Sequence, residues 1–121
     1  MSVVYLWINA LLYLALGVMC AVRPRNVADY VGFQLGPGGL SEFVTVYGGL
    51  EFGLGLFFAF CAWYPDQVRS GVVFATCLYV PIALCRVASL FAATPSNHNY
   101  QLAAVEVALT AGAIACLLLR R

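Results

Sequence analysis

Apolar residues fill this chain in four long runs, separated by short polar clusters rich in proline and glycine. The runs cover residues 3–22, 43–64, 71–92 and 101–119. Each holds about 20 residues, enough helix to cross a hydrocarbon core of about 30 Å. The breaks between them carry Arg23-Pro24-Arg25, Gly36-Pro37-Gly38-Gly39, Tyr64-Pro65-Asp66 and Thr94-Pro95-Ser96-Asn97, all strings that interrupt helices. Tyr5, Trp7, Trp63, Tyr64 and Tyr100 lie near the ends of the runs, where an interfacial aromatic belt belongs. The pattern predicts an all-α polytopic membrane protein: an antiparallel four-transmembrane-helix bundle forming a single membrane domain over residues 1–121. Pro81 is expected to kink the third span or loosen the turn before it.

The first connection, residues 23–42, is the long one. Val27, Tyr30, Val31 and Leu35 recur there at helical spacing, with Arg25, Asn26, Asp29 and Gln34 between them. This predicts a short amphipathic helix on the membrane surface, with a plain covering loop as the alternative. The first run has no basic segment before it and is followed by arginines, which predicts a retained helix and not a signal peptide. Four spans put both termini on one face, with Arg69, Arg120 and Arg121 against Arg23 and Arg25 on the other. The positive-inside rule then favours cytoplasmic termini in a cell inner membrane.

Composition agrees with the pattern. Hydrophobic residues make up 64% of the chain and charged residues 9%, where a soluble domain carries about 25% charged. A net charge of +1, with no lysine, gives no electrostatic case for nucleic acid. The cysteines at 20, 61, 77, 85 and 116 lie inside apolar runs with no CxxC spacing, and read as small packing residues. No metal site is expected, because thiolate ligands cluster more closely and the single histidine, His98, sits in a solvated loop. No cofactor is expected either: the chain has no phosphate-binding loop, dinucleotide fingerprint, HExxH motif or histidine pair able to hold haem.

Three spans carry an ionisable residue well inside: Glu51, Arg86 and Glu106. A charge there costs several kcal/mol, about 2.5–3.5 by insertion scales, unless it meets a partner or water. Counting from the ends of the spans places all three roughly 8–12 Å below the face of the first and third connections, so they are expected to converge. Small residues share their stripes: Gly48 and Gly55 beside Glu51, Ala83 and Ser89 beside Arg86, Ala103 and Ala113 beside Glu106. Gly49 and Gly53 add a small-xxx-small match. If Arg86 forks onto one carboxylate, the other must be protonated, hydrated or bound to a ligand. Tyr47 and Tyr79 are expected to supply hydroxyls to the wall of such a pocket, lidded by Asn97, His98, Asn99 and Tyr100. A structural ion-pair clasp is the competing reading. Asn9 is expected to make an interhelical hydrogen bond in the other half of the bilayer.

The run Val46-Tyr47-Gly48-Gly49-Leu50-Glu51-Phe52-Gly53-Leu54-Gly55, with Arg86, Glu106 and the proline-bearing first connection, resembles the domain-of-unknown-function 4345 family. The resemblance covers essentially the whole chain. It implies a small four-helix bundle of bacterial inner membranes, distantly DoxX-like, and brings no established activity.

Three functions follow from these residues. The first is binding of a lipophilic or amphiphilic molecule, its head on Glu51, Arg86 and Glu106, by the chain alone or as an accessory subunit of a membrane complex. The second is intramembrane acid–base catalysis of isomerase or cyclase type, with Glu51 and Glu106 as the candidate catalytic pair. The third is structural assembly with a homo-oligomeric or partner helix in the lipid bilayer.

Overall fold

The computed structural model of the protein describes residues 1–92 and 96–119. The Thr94-Pro95 break, and Arg120 and Arg121 used for orientation, lie outside the described residues. The described chain is all-α. Helix α1 is Ser2–Val22, α2 is Pro24–Val31, α3 is Pro37–Trp63, α4 is Val68–Ala92 and α5 is Asn97–Leu118. A single 3-10 turn, Pro65–Gln67, joins α3 to α4. Helices α1, α3, α4 and α5 are each long and apolar enough to cross a membrane, the make-up of a multi-pass membrane protein.

Local chemistry sets the boundaries. Pro24 and Pro37 each open a helix, where the missing N–H is no loss and φ is already suitable. Helix α2 ends on Gly32, whose φ of 83° is the left-handed conformation that favours glycine. The Phe33 N–H then donates to the Ala28 carbonyl (2.8 Å) and the Gly32 N–H to Asp29 (3.1 Å), which closes the helix as a Schellman motif. At the start of α5 the Asn99 Oδ1 accepts from the Ser96 N–H (2.8 Å) and hydroxyl (2.6 Å), bracing the first turn. Pro81 sits inside α4 without ending it.

The second long helix begins at Pro37, earlier than the hydrophobic run that starts at residue 43. Phe43–Gly48 within it is π-helical, a wider winding that shifts the faces of the helix relative to regular 3.6 periodicity.

Helices α1 and α3 pack antiparallel with almost no space between backbones. A Cβ added to Gly17 would lie 2.7 Å from the Phe52 nitrogen, and one added to Gly55 would lie 2.7 Å from the Leu14 nitrogen. Gly48 faces the same seam, against Cys20 and Ala21. Gly49 and Gly53, the residues of the small-xxx-small match, instead face outward with no neighbour. Close approach therefore uses the glycines that share a side with Glu51. Helices α4 and α5 form the second antiparallel pair.

The bundle is filled unevenly. One core of Leu6, Ala10, Tyr13, Phe58, Cys61, Val68, Val72, Ala75, Tyr79, Ala113 and Cys116 occupies the half nearer the chain termini. A second, smaller core of Cys20, Ala28 and Phe43 seats α2 over the far end of α1. Between them lies a layer with almost no buried side chains. Among the described residues, burial stops at Tyr79 on α4, skips from Gly48 to Gly55 on α3 and from Ala103 to Ala113 on α5.

Candidate functional site

That sparsely filled layer is where Glu51, Arg86 and Glu106 stand. Arg86 and Glu106 face each other across the α4–α5 seam in a forked ion pair: Nε donates to Oε2 (2.9 Å) and Nη2 to Oε1 (2.8 Å). Both hydrogen bonds are charge-assisted, and the geometry fixes the rotation of one helix against the other. The two side chains remain 27% and 17% exposed, so the pair is only partly withdrawn from its surroundings.

Glu51 is not part of this pair. It follows the π-helical stretch by one turn, between Gly48, in ordinary contact with Cys20 and Ala21 of α1, and Gly55, tight against Leu14 of α1. Its Oε2 is shielded and has no hydrogen-bond partner. A buried polar atom without a partner typically costs about 1–3 kcal/mol, and in native proteins such atoms are few.

Tyr13 and Tyr79 form the base of the layer. Their rings stack with centroids 6.3 Å apart, and Tyr13 stacks on Phe58 at 5.7 Å. The Tyr79 hydroxyl donates to Asn9 Oδ1, and Asn9 Nδ2 donates to the Tyr5 carbonyl (2.7 Å). Tyr5 in turn donates to the Leu109 carbonyl (2.8 Å), and Thr110 Oγ1 donates to the Glu106 carbonyl (2.7 Å) and approaches that of Tyr79 (3.3 Å). Asn9 thus makes an interhelical hydrogen bond, and this polar string ties α1, α4 and α5 together beneath the acids. It ends on amide groups, which do not relay protons.

The structure therefore joins two of the three charged residues and leaves the third apart. Tyr79 commits its hydroxyl to Asn9 instead of offering it to the acids. Tyr47 lies within the π-helical stretch, is exposed, and stacks on Phe43 (4.7 Å). Tyr13, which stacks on both Phe58 and Tyr79, was not singled out from the sequence. Its pattern signal is one polar hydroxyl in an otherwise apolar stretch of α1.

On the α2 side, the Tyr30 hydroxyl donates to Gln101 Oε1 (3.0 Å) and its ring lies 4.4 Å from that of His98. His98 is exposed, and α2 is strapped to the start of α5 above the layer. Among the described residues no group of histidine, cysteine or acidic side chains is arranged to hold a metal ion.

An apolar bundle of four span-length helices with a forked ion pair and a lone acid between its layers defines the class: a small multi-pass membrane protein with intramembrane polar residues. The model of the family described as domain of unknown function DUF4345 matches residues 1–119, and the chain belongs to that family. No curated protein and no solved structure matches it.

Proposed function

We propose that the protein binds a lipophilic molecule with a polar head, whose head hydrogen-bonds to Glu51 and whose tail lies among the spans. The observation that carries this reading is the Glu51 Oε2, shielded and without a partner, at the level where the bundle lacks buried side chains. In this reading Arg86 and Glu106 are the clasp that holds α4 and α5 open at a fixed angle, and Glu51 is the contact to the ligand. A few polar groups set among apolar walls are the usual form of such a site. The forked pair also occupies Glu106, which leaves a two-acid isomerase or cyclase without its second free carboxyl. Residence in a bacterial inner membrane with cytoplasmic termini, singly or beside a larger complex, is part of the same proposal.

Mass spectrometry of the gently purified full-length protein tests it. A reproducible lipophilic passenger is expected on the wild type and absent from Glu51→Leu. A wild type that carries none, or a Glu51→Leu protein that carries the same passenger, overturns the reading.

A further inference from the structure

A second polar feature lies away from the acids, where α1 ends and α2 begins. A cleft of about 320 Å³ is lined by Val22, Arg23, Pro24, Arg25, Asn26 and Leu40. Arg23 and Arg25 are both exposed, and among the described residues neither forms a salt bridge or a side-chain hydrogen bond. Arg23 and Arg25, two residues apart, line the cleft together with Asn26 and the apolar Val22, Pro24 and Leu40.

The chemistry of this cleft is selective in two respects. Its cations and the Asn26 amide suit an anion with several acceptor oxygens, because guanidinium donors fork onto phosphate as they do onto carboxylate. Its apolar walls suit a group that carries hydrocarbon with it. Position adds a third constraint: Val22 is the last residue of a span-length helix, so the cleft opens at the depth of the headgroups. Arginines at a span end reach toward that zone.

We infer that this cleft is a binding site for the phosphate-bearing headgroup of an anionic amphiphile, separate from the Glu51 layer. A phosphodiester oxygen pair is bridged by Arg23 and Arg25, and the first acyl carbons lie on Val22 and Leu40. The interaction anchors the α1–α2 corner, and with it the α2 strap, to the surface of one leaflet.

The test measures retention of phosphatidylglycerol and phosphatidylcholine by the detergent-purified full-length protein, using native mass spectrometry at two salt concentrations. Wild type is expected to retain phosphatidylglycerol preferentially, less so at high salt. Arg23→Gln/Arg25→Gln is expected to lose that preference by about fivefold for each arginine removed. Arg69→Gln, at the opposite face, serves as the folded control and is expected to match wild type. Competition by millimolar inorganic phosphate separates the two sources of the anion: weak competition assigns the site to lipid, and full displacement assigns it to free phosphate. Equal retention of both lipids by wild type, or an unchanged preference in the double variant, overturns the proposal.

Discussion

Tyr79 donates its hydroxyl to the side-chain carbonyl of Asn9, and both residues are fully shielded within the bundle. This contact ties α1 to α4, two helices that run in the same direction, at the base of the layer that holds the acids. A polar pair at such depth is satisfied only if both partners stay, since hydrocarbon offers no replacement donor.

Tyr79→Phe therefore leaves the Asn9 oxygen without a donor while preserving the ring stack. Interhelical hydrogen bonds in membranes average about 0.6 kcal/mol and reach about 1.7. A loss of about 1 kcal/mol is expected in a detergent-unfolding titration, and Asn9→Leu/Tyr79→Phe together should recover part of it. Additive losses in the double variant would show that the two residues act separately.

The glycines divide into two groups with opposite expectations. Gly17→Ala and Gly55→Ala push a methyl into backbone at 2.7 Å, and each is expected to cost about 1–3 kcal/mol or shift α1 from α3. Gly49→Ala and Gly53→Ala meet no neighbour and should change monomer stability by no more than about 0.5 kcal/mol. Thermal unfolding of the four single variants checks this ordering.

Arg86→Leu removes one half of the forked pair and leaves Glu106 facing an apolar seam. The expected loss is on the order of 3 kcal/mol, the insertion cost of one unpaired charge within a span. Arg86→Leu/Glu106→Leu should regain most of it, and the coupling from a double-mutant cycle measures the pair directly.

Glu51→Leu has the reverse sign. Removing a carboxylate with an unpartnered, shielded oxygen is expected to stabilise the purified protein by about 1 kcal/mol while abolishing the passenger. A destabilised Glu51→Leu protein would mean that the side chain already serves the fold.

Much of this was legible in the sequence, because a bilayer demands about 20 apolar residues per span and punishes charges within them. The depth count brought Arg86 and Glu106 together correctly. What it lacked was rotation. Helical side chains lean toward the N-terminus, so Tyr79 reaches down to Asn9 and not up toward Arg86. Tyr47, chosen by regular periodicity, stacks on Phe43 inside the π-helical stretch Phe43–Gly48, a local winding that no hydrophobic pattern announces. The second long helix starts ahead of its apolar run for a different reason. Gly36-Pro37-Gly38-Gly39 reads as a turn, yet proline is well suited to a helix's first position, and the glycines follow it into the helix.

The aromatic and aliphatic plug below Asn9 and Tyr79 has one more consequence. Under the proposed function, a molecule that reaches Glu51 comes and goes by way of the leaflet beside α2, because the packed core closes the terminal end of the described bundle.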